Sequence, residues 1–367
     1  MKHIGIIELC HITHYIYLNT VSKILLNKGY TITIYTLQPI AENIDLPKNS
    51  KVNIIVKRRN QNVLSFLLEI LWSNSCDVFI ITTLQMYYLS FLIFLLLLKK
   101  PYYVTTHNIN LWFSKFEISK QWKKVVEQLC LKIILMKARG VNVLSENMKR
   151  YLRNKFHYRR VINIFPFLVY DEKNTFTNIN NKIKLTVPGT IDPLRRDYEL
   201  LLRVLNRLVN NSKAIDRLII ELLGYPNHIK AKKIINEFNK LNKKGLEVIY
   251  YDRFVRKEVY ETQLSSSDFI LGIVNTTNIK KEKYGVTKDT GLNYAMIQSG
   301  IPGIFPSEFK NFKQLKESTL VYRDEKELEK ILLGLINNVY NIEELKMRAK
   351  EAAIKFSKDM YSLKVFI

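Results

Sequence analysis

Apolar residues along the chain gather in short runs, separated by longer stretches in which they recur every three or four positions. His3 to Ile7, Tyr30 to Thr36, Val52 to Val56 and Val78 to Thr83 are β-branched or aliphatic runs with polar borders, the pattern of strands buried on both faces. Tyr15 to Lys28 and Val63 to Ser73 have helical spacing, and Gly29 follows the first as a C-terminal cap. Val141 to Ser145 is a further strand, with Ser145 placed to cap a helix that opens at Glu146. The apolar run from Val78 to Leu98 is long enough to cross a bilayer, which takes about 20 residues. Thr82, Thr83 and Gln85 interrupt it. It is therefore read as a buried strand followed by a separate buried helix from Met86 to Leu98, with the next strand at Pro101 to Thr106.

A polar, Asn-rich stretch from Tyr170 to Lys184 reads as a linker or loop. The alternation resumes behind it. Strands are expected at Ile183 to Val187, Leu218 to Leu223, Leu246 to Tyr250, Asp268 to Val274 and Ile301 to Phe305. Helices are expected at Asp197 to Asn210, Ile229 to Leu241, Lys257 to Ser265 and Thr290 to Ser299, and again within Ile342 to Ile367. Repeated strand–helix–strand units predict an α/β protein of two consecutive doubly wound halves, each a parallel sheet with helices on both faces. The expected domains are residues 1–170 and 171–340, with 341–367 as a terminal helical segment. Such an arrangement places ligands where the carboxyl ends of the strands face a crevice.

The chain has 367 residues, enough for two domains at about 150 residues each. Lys and Arg number 57 against 33 Asp and Glu, a net charge of +24, so polyanions are the expected partners: nucleotide sugars, anionic membrane surfaces or nucleic acid. Basic groups recur in the first half, at Lys57-Arg58-Arg59, Lys99-Lys100 and Arg159-Arg160. They suit peripheral contact with an anionic membrane, and equally a solvated surface. The absence of zinc-finger, basic-zipper and RNP-type signatures weighs against nucleic acid. Cys10, Cys76 and Cys130 are odd in number and far apart. That argues against a disulfide framework and for a reducing compartment. The first strand begins at once and Glu8 breaks its apolar core, so no signal peptide is read and a cytoplasmic location is expected.

Two loops carry candidate chemistry. Val187 to Asp197 joins a strand to a helix through Gly189, with Arg195 and Arg196 near the helix start, where free N–H groups and the dipole favour an anion. A surface arginine pair on a basic chain has the same pattern. Glu282 to Gly291 also runs into a helix start. It gathers two glycines, the hydroxyls of Thr287 and Thr290, and Lys288, the elements of a backbone cradle for a diphosphate. The bland alternative is a polar loop with Asp289 or Thr290 as the helix cap. Neither loop is a Walker loop, and no GxGxxG follows either first strand.

The order of PGTIDPLRRDYELLL, LIIELLGY, LEVIYYDRFVRKEVYETQLSSSDFILGIV and YGVTKDTGLNYAMIQSGIPGIFPSEF resembles the donor half of GT-B glycosyltransferases, of the family 4-like type. The resemblance implies two Rossmann-like domains facing a cleft, and a terminal helix crossing back to the first. It implies transfer of a sugar from a nucleotide-diphosphate sugar to a glycan or lipid-linked acceptor, with retention and without a metal or other cofactor. Carried over, Gly189, Arg195 and Arg196 belong to a diphosphate grip, Phe254 and Val255 border the base, and Thr287, Lys288, Asp289, Thr290 and Gly291 lie at the sugar and phosphates. In the first half, His107 follows a strand where family members often have a histidine near the reacting sugar, and Ser145-Glu146 matches a feature near the cleft. The loop after the first strand lacks the family's glycines and offers Glu8, His11 and His14, one of which could orient an acceptor hydroxyl. Many members carry two glutamates eight positions apart before the G.P motif; here those positions are Thr287 and Ala295. That departure supports an alternative, a catalytically inactive binding or scaffold subunit on the same fold.

Overall fold

The computed structural model describes residues 2–47, 50–73, 75–113, 121–171, 182–211, 214–226, 229–275 and 283–367. The chain forms two compact units. The first comprises Met1–Leu168, Val286–Asp289 and Asp359–Ile367; the second comprises Val169–Gly285 and Thr290–Lys358.

The first unit is built on strands β1 (His3–Glu8), β2 (Thr31–Leu37), β3 (Val52–Lys57), β4 (Val78–Ile81), β5 (Tyr102–Thr106), β6 (Gly140–Val143) and β7 (Val161–Ile164). Its helices are α1 (Tyr15–Asn27), α2 (Gln38–Ala41), α3 (Val63–Ser73), α4 (Tyr88–Leu97), α5 (Ile109–Phe113), α6 (Trp122–Lys137) and α7 (Glu146–Phe156). The strands form a parallel sheet in the order β3-β2-β1-β4-β5-β6-β7. In the central register Ile6 lies between Ile34 and Ile80, all three with no or almost no exposed surface. Helices cover both faces, so these strands are apolar on successive residues rather than alternating. Gly29 takes φ +83° after α1, the left-handed turn expected of a C-terminal glycine.

The apolar run of residues 78–98 divides as its polar residues predict. β4 ends at Ile81, α4 starts at Tyr88, and Tyr87 caps the helix in a left-handed conformation at φ +58°. Among the described residues no helix is long and apolar enough to cross a membrane. The sequence pattern did not mark β7 or α6. The chain terminus packs on this unit: Lys2 Nζ donates to the Ile367 carbonyl at 2.5 Å, and Asn163 exchanges hydrogen bonds with the Phe366 backbone.

The second unit holds β8 (Ile183–Pro188), β9 (Leu218–Leu223), β10 (Glu247–Tyr250), β11 (Phe269–Leu271), β12 (Gly303–Pro306) and β13 (Thr319–Tyr322). Its helices are α8 (Tyr198–Asn211), α9 (Ile229–Asn242), α10 (Lys257–Ser265), α11 (Gly291–Ser299), α12 (Glu325–Ile336) and α13 (Ile342–Ser362), the last turn of which belongs to the first unit. The sheet is again parallel, ordered β10-β9-β8-β11-β12-β13. Leu201, Leu205 and Leu208 of α8 pack with Leu185 and Val187 of β8 and with Leu328 and Leu335 of α12 in one core. Most of the Asn-rich stretch after Tyr170 lies outside the described residues, and its last two positions, Ile183 and Lys184, are already in β8.

Candidate active site

In the first unit the carboxyl ends of adjacent strands gather polar side chains. Glu8 ends β1, Thr82 and Thr83 follow β4, His107 follows β5 and Ser145 follows β6. A parallel sheet turns all these ends the same way, which is why residues far apart in sequence meet there.

Glu8 is fully buried. Its Oε1 accepts the backbone N–H groups of Cys10 at 2.9 Å and His11 at 3.2 Å, and its Oε2 accepts the Thr82 hydroxyl at 2.8 Å. His14 Nδ1 lies 3.6 Å from Oε2 and 2.5 Å from the Thr83 hydroxyl oxygen. Burial pushes the Glu8 carboxyl up, but His14, through hydrogen bond and charge, with Thr83 and the Cys10 amide, outweighs it and holds the pKa below its ordinary value. Glu8 is thus an anchored anion that braces the loop carrying His11 and His14, and its oxygens are already engaged.

Three imidazoles gather near it. The His11 and His14 ring centroids are 4.8 Å apart, as are those of His14 and His107, and the Tyr17 ring meets His107 edge-on at 5.1 Å. His107 Nε2 lies 2.9 Å from the Thr82 carbonyl oxygen. A carbonyl only accepts, so Nε2 carries the proton and Nδ1 of the neutral ring is an acceptor. Burial, reinforced by the neighbouring His14 charge, pushes the His107 pKa down to about 4. At neutral pH His107 therefore offers a fixed lone pair, suited to accept from a hydroxyl.

The segment Val286–Asp289 packs on this same unit. The Thr287 carbonyl accepts the Ile109 N–H at 2.8 Å, Lys288 pairs with Asn108 in an antiparallel bridge, and the Ser145 hydroxyl donates to Asp289 Oδ1 at 3.2 Å. Thr287, Lys288 and Asp289 thus lie beside the residues that follow His107 and beside Ser145.

Thr290 then caps α11, its hydroxyl accepting the Leu292 N–H at 3.1 Å. Gly291, the first helical residue, is exposed, and a Cβ there would meet nothing within 4 Å among the described residues. Packing among the described residues therefore does not explain this glycine. Asn293, in the same first turn, was not singled out from sequence. It is fully buried, and neither its Nδ2 nor its Oδ1 has a partner among the described residues. Such orphans are rare and cost about 1–3 kcal/mol each. Gly291→Ala is expected to leave the thermal midpoint unchanged or slightly raised, because alanine favours helix, while weakening binding of a ligand seated on this N-terminus. A fall in the midpoint of several degrees without a ligand would show that the glycine serves the fold.

Around Gly189 the structure assigns the two arginines different tasks. Gly189 has φ +91°, and Arg196 folds back so that its guanidinium donates to the carbonyls of Pro188 and Thr190, closing the turn from within. Arg195 is exposed and pairs with Asp192 at 3.3 Å. The backbone beside them is held from both sides, with Gly189 N–H on the Leu223 carbonyl and Asp197 N–H on the Ile273 carbonyl.

An open hollow of about 470 Å³ in the second unit is lined by Tyr250, Tyr251, Asp252, Arg253, Phe254, Val255, Arg256 and Val259. The Phe254 ring is largely exposed and meets Tyr225 edge-on at 5.8 Å. Aromatic walls with arginines suit a flat ring carrying phosphate. The Tyr251 hydroxyl donates to Glu221 Oε1 at 2.8 Å beneath it. Sequence reasoning placed Phe254 and Val255 here but missed Tyr251 and Glu221, whose link is visible only across β9 and β10.

The sequence matches no protein-family model and no curated protein. Solved structures do match along the whole chain. A glycosyltransferase from Rickettsia africae superposes with a TM-score of 0.65 at 13% identity, over 98% of this chain and 95% of its own. HepE from Anabaena, in complex with UDP, gives 0.62 at 12% identity over 98% of each chain. The sucrose-phosphate synthase of Thermosynechococcus elongatus gives 0.61 at 13% identity over 98% and 96%. The fold is that of the GT-B glycosyltransferases, two Rossmann-like units in one chain.

Proposed function

We propose that the protein is a glycosyltransferase that moves a sugar from a nucleoside diphosphate sugar to a glycan or lipid-linked acceptor in the cytoplasm, with retention of configuration. The observation that carries this reading is the polar cluster at the carboxyl ends of β1, β4 and β5, with Lys288 and Asp289 docked beside it. Support comes also from the complexes of HepE with UDP and with UDP-glucose.

In this reading the bond from the sugar carbon to the diphosphate breaks, the acceptor oxygen takes its place, and the acceptor's proton passes to the departing diphosphate oxygen. The N–H groups at the start of α11 and the ammonium of Lys288 would hold the developing negative charge of the diphosphate, with Arg195 as a further cation. Arg196 would keep the Gly189 turn in shape. His107 would accept a sugar hydroxyl at Nδ1, and the Tyr251–Phe254 hollow would take the base. No metal is part of the proposal.

Thermal shift against a panel of nucleotide sugars tests it. A true donor is expected to raise the midpoint in proportion to the logarithm of its concentration, and Lys288→Ala is expected to abolish most sugar transfer. No stabilisation by any nucleotide sugar would sink the proposal.

A second reading, an inactive subunit on the same fold, is favoured by one observation. Thr287 and Ala295, at the positions of the family's glutamates, are both buried and supply no carboxylate. Stabilisation by a nucleotide sugar without hydrolysis or transfer would select it.

A further inference from the structure

We propose that the surface formed by α3, α4 and α6 rests on an anionic lipid bilayer, holding the protein at the membrane without crossing it. The connections carrying these helices, β3 to β4, β4 to β5 and β5 to β6, all advance the same way across the sheet. Right-handed crossovers therefore put all three on one face, and α4 packs against both α3 and α6.

Each helix buries one side on the sheet; α4 and α6 leave a second apolar stripe outside, and α3 leaves Trp72. On α4 the exposed positions are Leu89, Leu96 and Leu97, with Leu92 and Ile93 half-buried between them. On α6 the stripe runs Trp122, Val126, Leu129 and Met136, at spacings of four, three and seven, with Ile133 half-buried in line. Trp72 of α3 is 82% exposed and Trp122 is 69% exposed. Large apolar residues at helical spacing on the outer side of helices already docked through their inner side are not the remainder of a core. They form an extended patch that a solvated monomer rarely carries.

The charge around this patch selects the occupant. Lys99 and Lys100 follow α4, Lys123 and Lys124 stand in the first turn of α6, and Lys137 ends it, all five exposed. The acids on the three helices are Glu69 and Glu127, and the Glu127 carboxylate is engaged with the Tyr88 hydroxyl. A second copy of the chain would bring lysines against lysines. Lipid head groups of negative charge match the rim, and acyl chains match the centre; tryptophan is favoured at that depth.

The probe is built in. Of the three tryptophans, Trp72 and Trp122 lie on this surface and Trp112 is buried. The full chain is mixed with vesicles of phosphatidylcholine alone, or of phosphatidylcholine with phosphatidylglycerol. Flotation with the anionic vesicles and a blue shift of tryptophan emission are expected, with little of either on neutral vesicles. A Trp72→Phe, Trp122→Phe variant should still float but lose the shift. Leu96→Asp with Leu129→Asp should abolish flotation. Lys99→Gln, Lys100→Gln, Lys123→Gln and Lys124→Gln together, all at exposed positions where folding is not at stake, should weaken it by roughly 1,000-fold, at about 1 kcal/mol per lysine near the surface. The proposal is overturned if the anionic vesicles leave the chain in solution, if the lysine variant floats as well as the parent, or if the tryptophans are shielded by self-association without lipid. None of these readings depends on sugar transfer.

Discussion

Replacing Glu221 with alanine is expected to destabilise the second unit by about 3–5 kcal/mol, the cost of leaving a partner charge buried and unpaired. Glu221 has no exposed surface. Its Oε2 lies 3.0 Å from Lys184 Nζ and accepts the Thr186 hydroxyl at 2.9 Å, while its Oε1 accepts the Tyr251 hydroxyl. Lys184 is 6% exposed, and its remaining donors go to Gln263 Oε1 at 2.6 Å and Ser266 Oγ at 3.0 Å. Removing the carboxylate strands the ammonium among neutral acceptors. Urea unfolding measures the loss. Lys184→Met combined with Glu221→Leu should recover most of it, because two apolar groups of similar volume need no desolvation. Full stability in the single variant would mean that water reaches Lys184 and the pair is not buried in solution. Both variants free the Tyr251 hydroxyl, so under the proposed function both should bind nucleotide less tightly than the parent.

His107→Ala is expected to lower sugar transfer by about 100- to 1,000-fold, the range for removing one preorganised polar contact from a reaction centre. His107→Gln keeps a donor to the Thr82 carbonyl and should retain more activity. Stability carries an independent signature. The folded pKa of about 4 lies below the ordinary 6.5. Above pH 6.5 the ring is neutral in both states, and its environment contributes fully. Between 6.5 and 4 the unfolded chain takes up a proton that the folded chain refuses, so stability falls as the pH drops. The gap of about 2.5 pH units, at about 1.4 kcal/mol each, amounts to about 3.5 kcal/mol. The Glu8 carboxyl, depressed from 4.5, adds its own loss below that pH. In His107→Gln the slope between pH 6.5 and 4 should flatten while the decline below 4.5 persists. An unchanged slope would assign the proton uptake elsewhere.

The primary sequence marked most of the strands and helices of this protein, though not β7, β13, α6 or α12. Its buried parallel strands announce themselves as aliphatic runs, since both faces are covered and no alternation is needed. Its helices announce themselves by spacing, and Gly29 and Gly300 mark their ends with positive φ as glycine best can. Even the split of residues 78–98 was legible from Thr82, Thr83 and Gln85, although the left-handed turn at Tyr87 that completes it uses neither glycine nor proline. What only the tertiary structure decided is which polar groups share a site and which are already spent. Lys288 and Asp289 belong with Asn108 and Ser145 because a four-residue segment packs on the first unit, a contact no local pattern records. Arg195 and Arg196 are adjacent and chemically alike, yet one is exposed and the other closes its own turn. The same holds for α6, where only the packing shows that Trp122, Val126, Leu129 and Met136 face away from the sheet. Periodicity fixes which residues share a face, but the pairing of that face with protein, water or another surface is set by long-range packing.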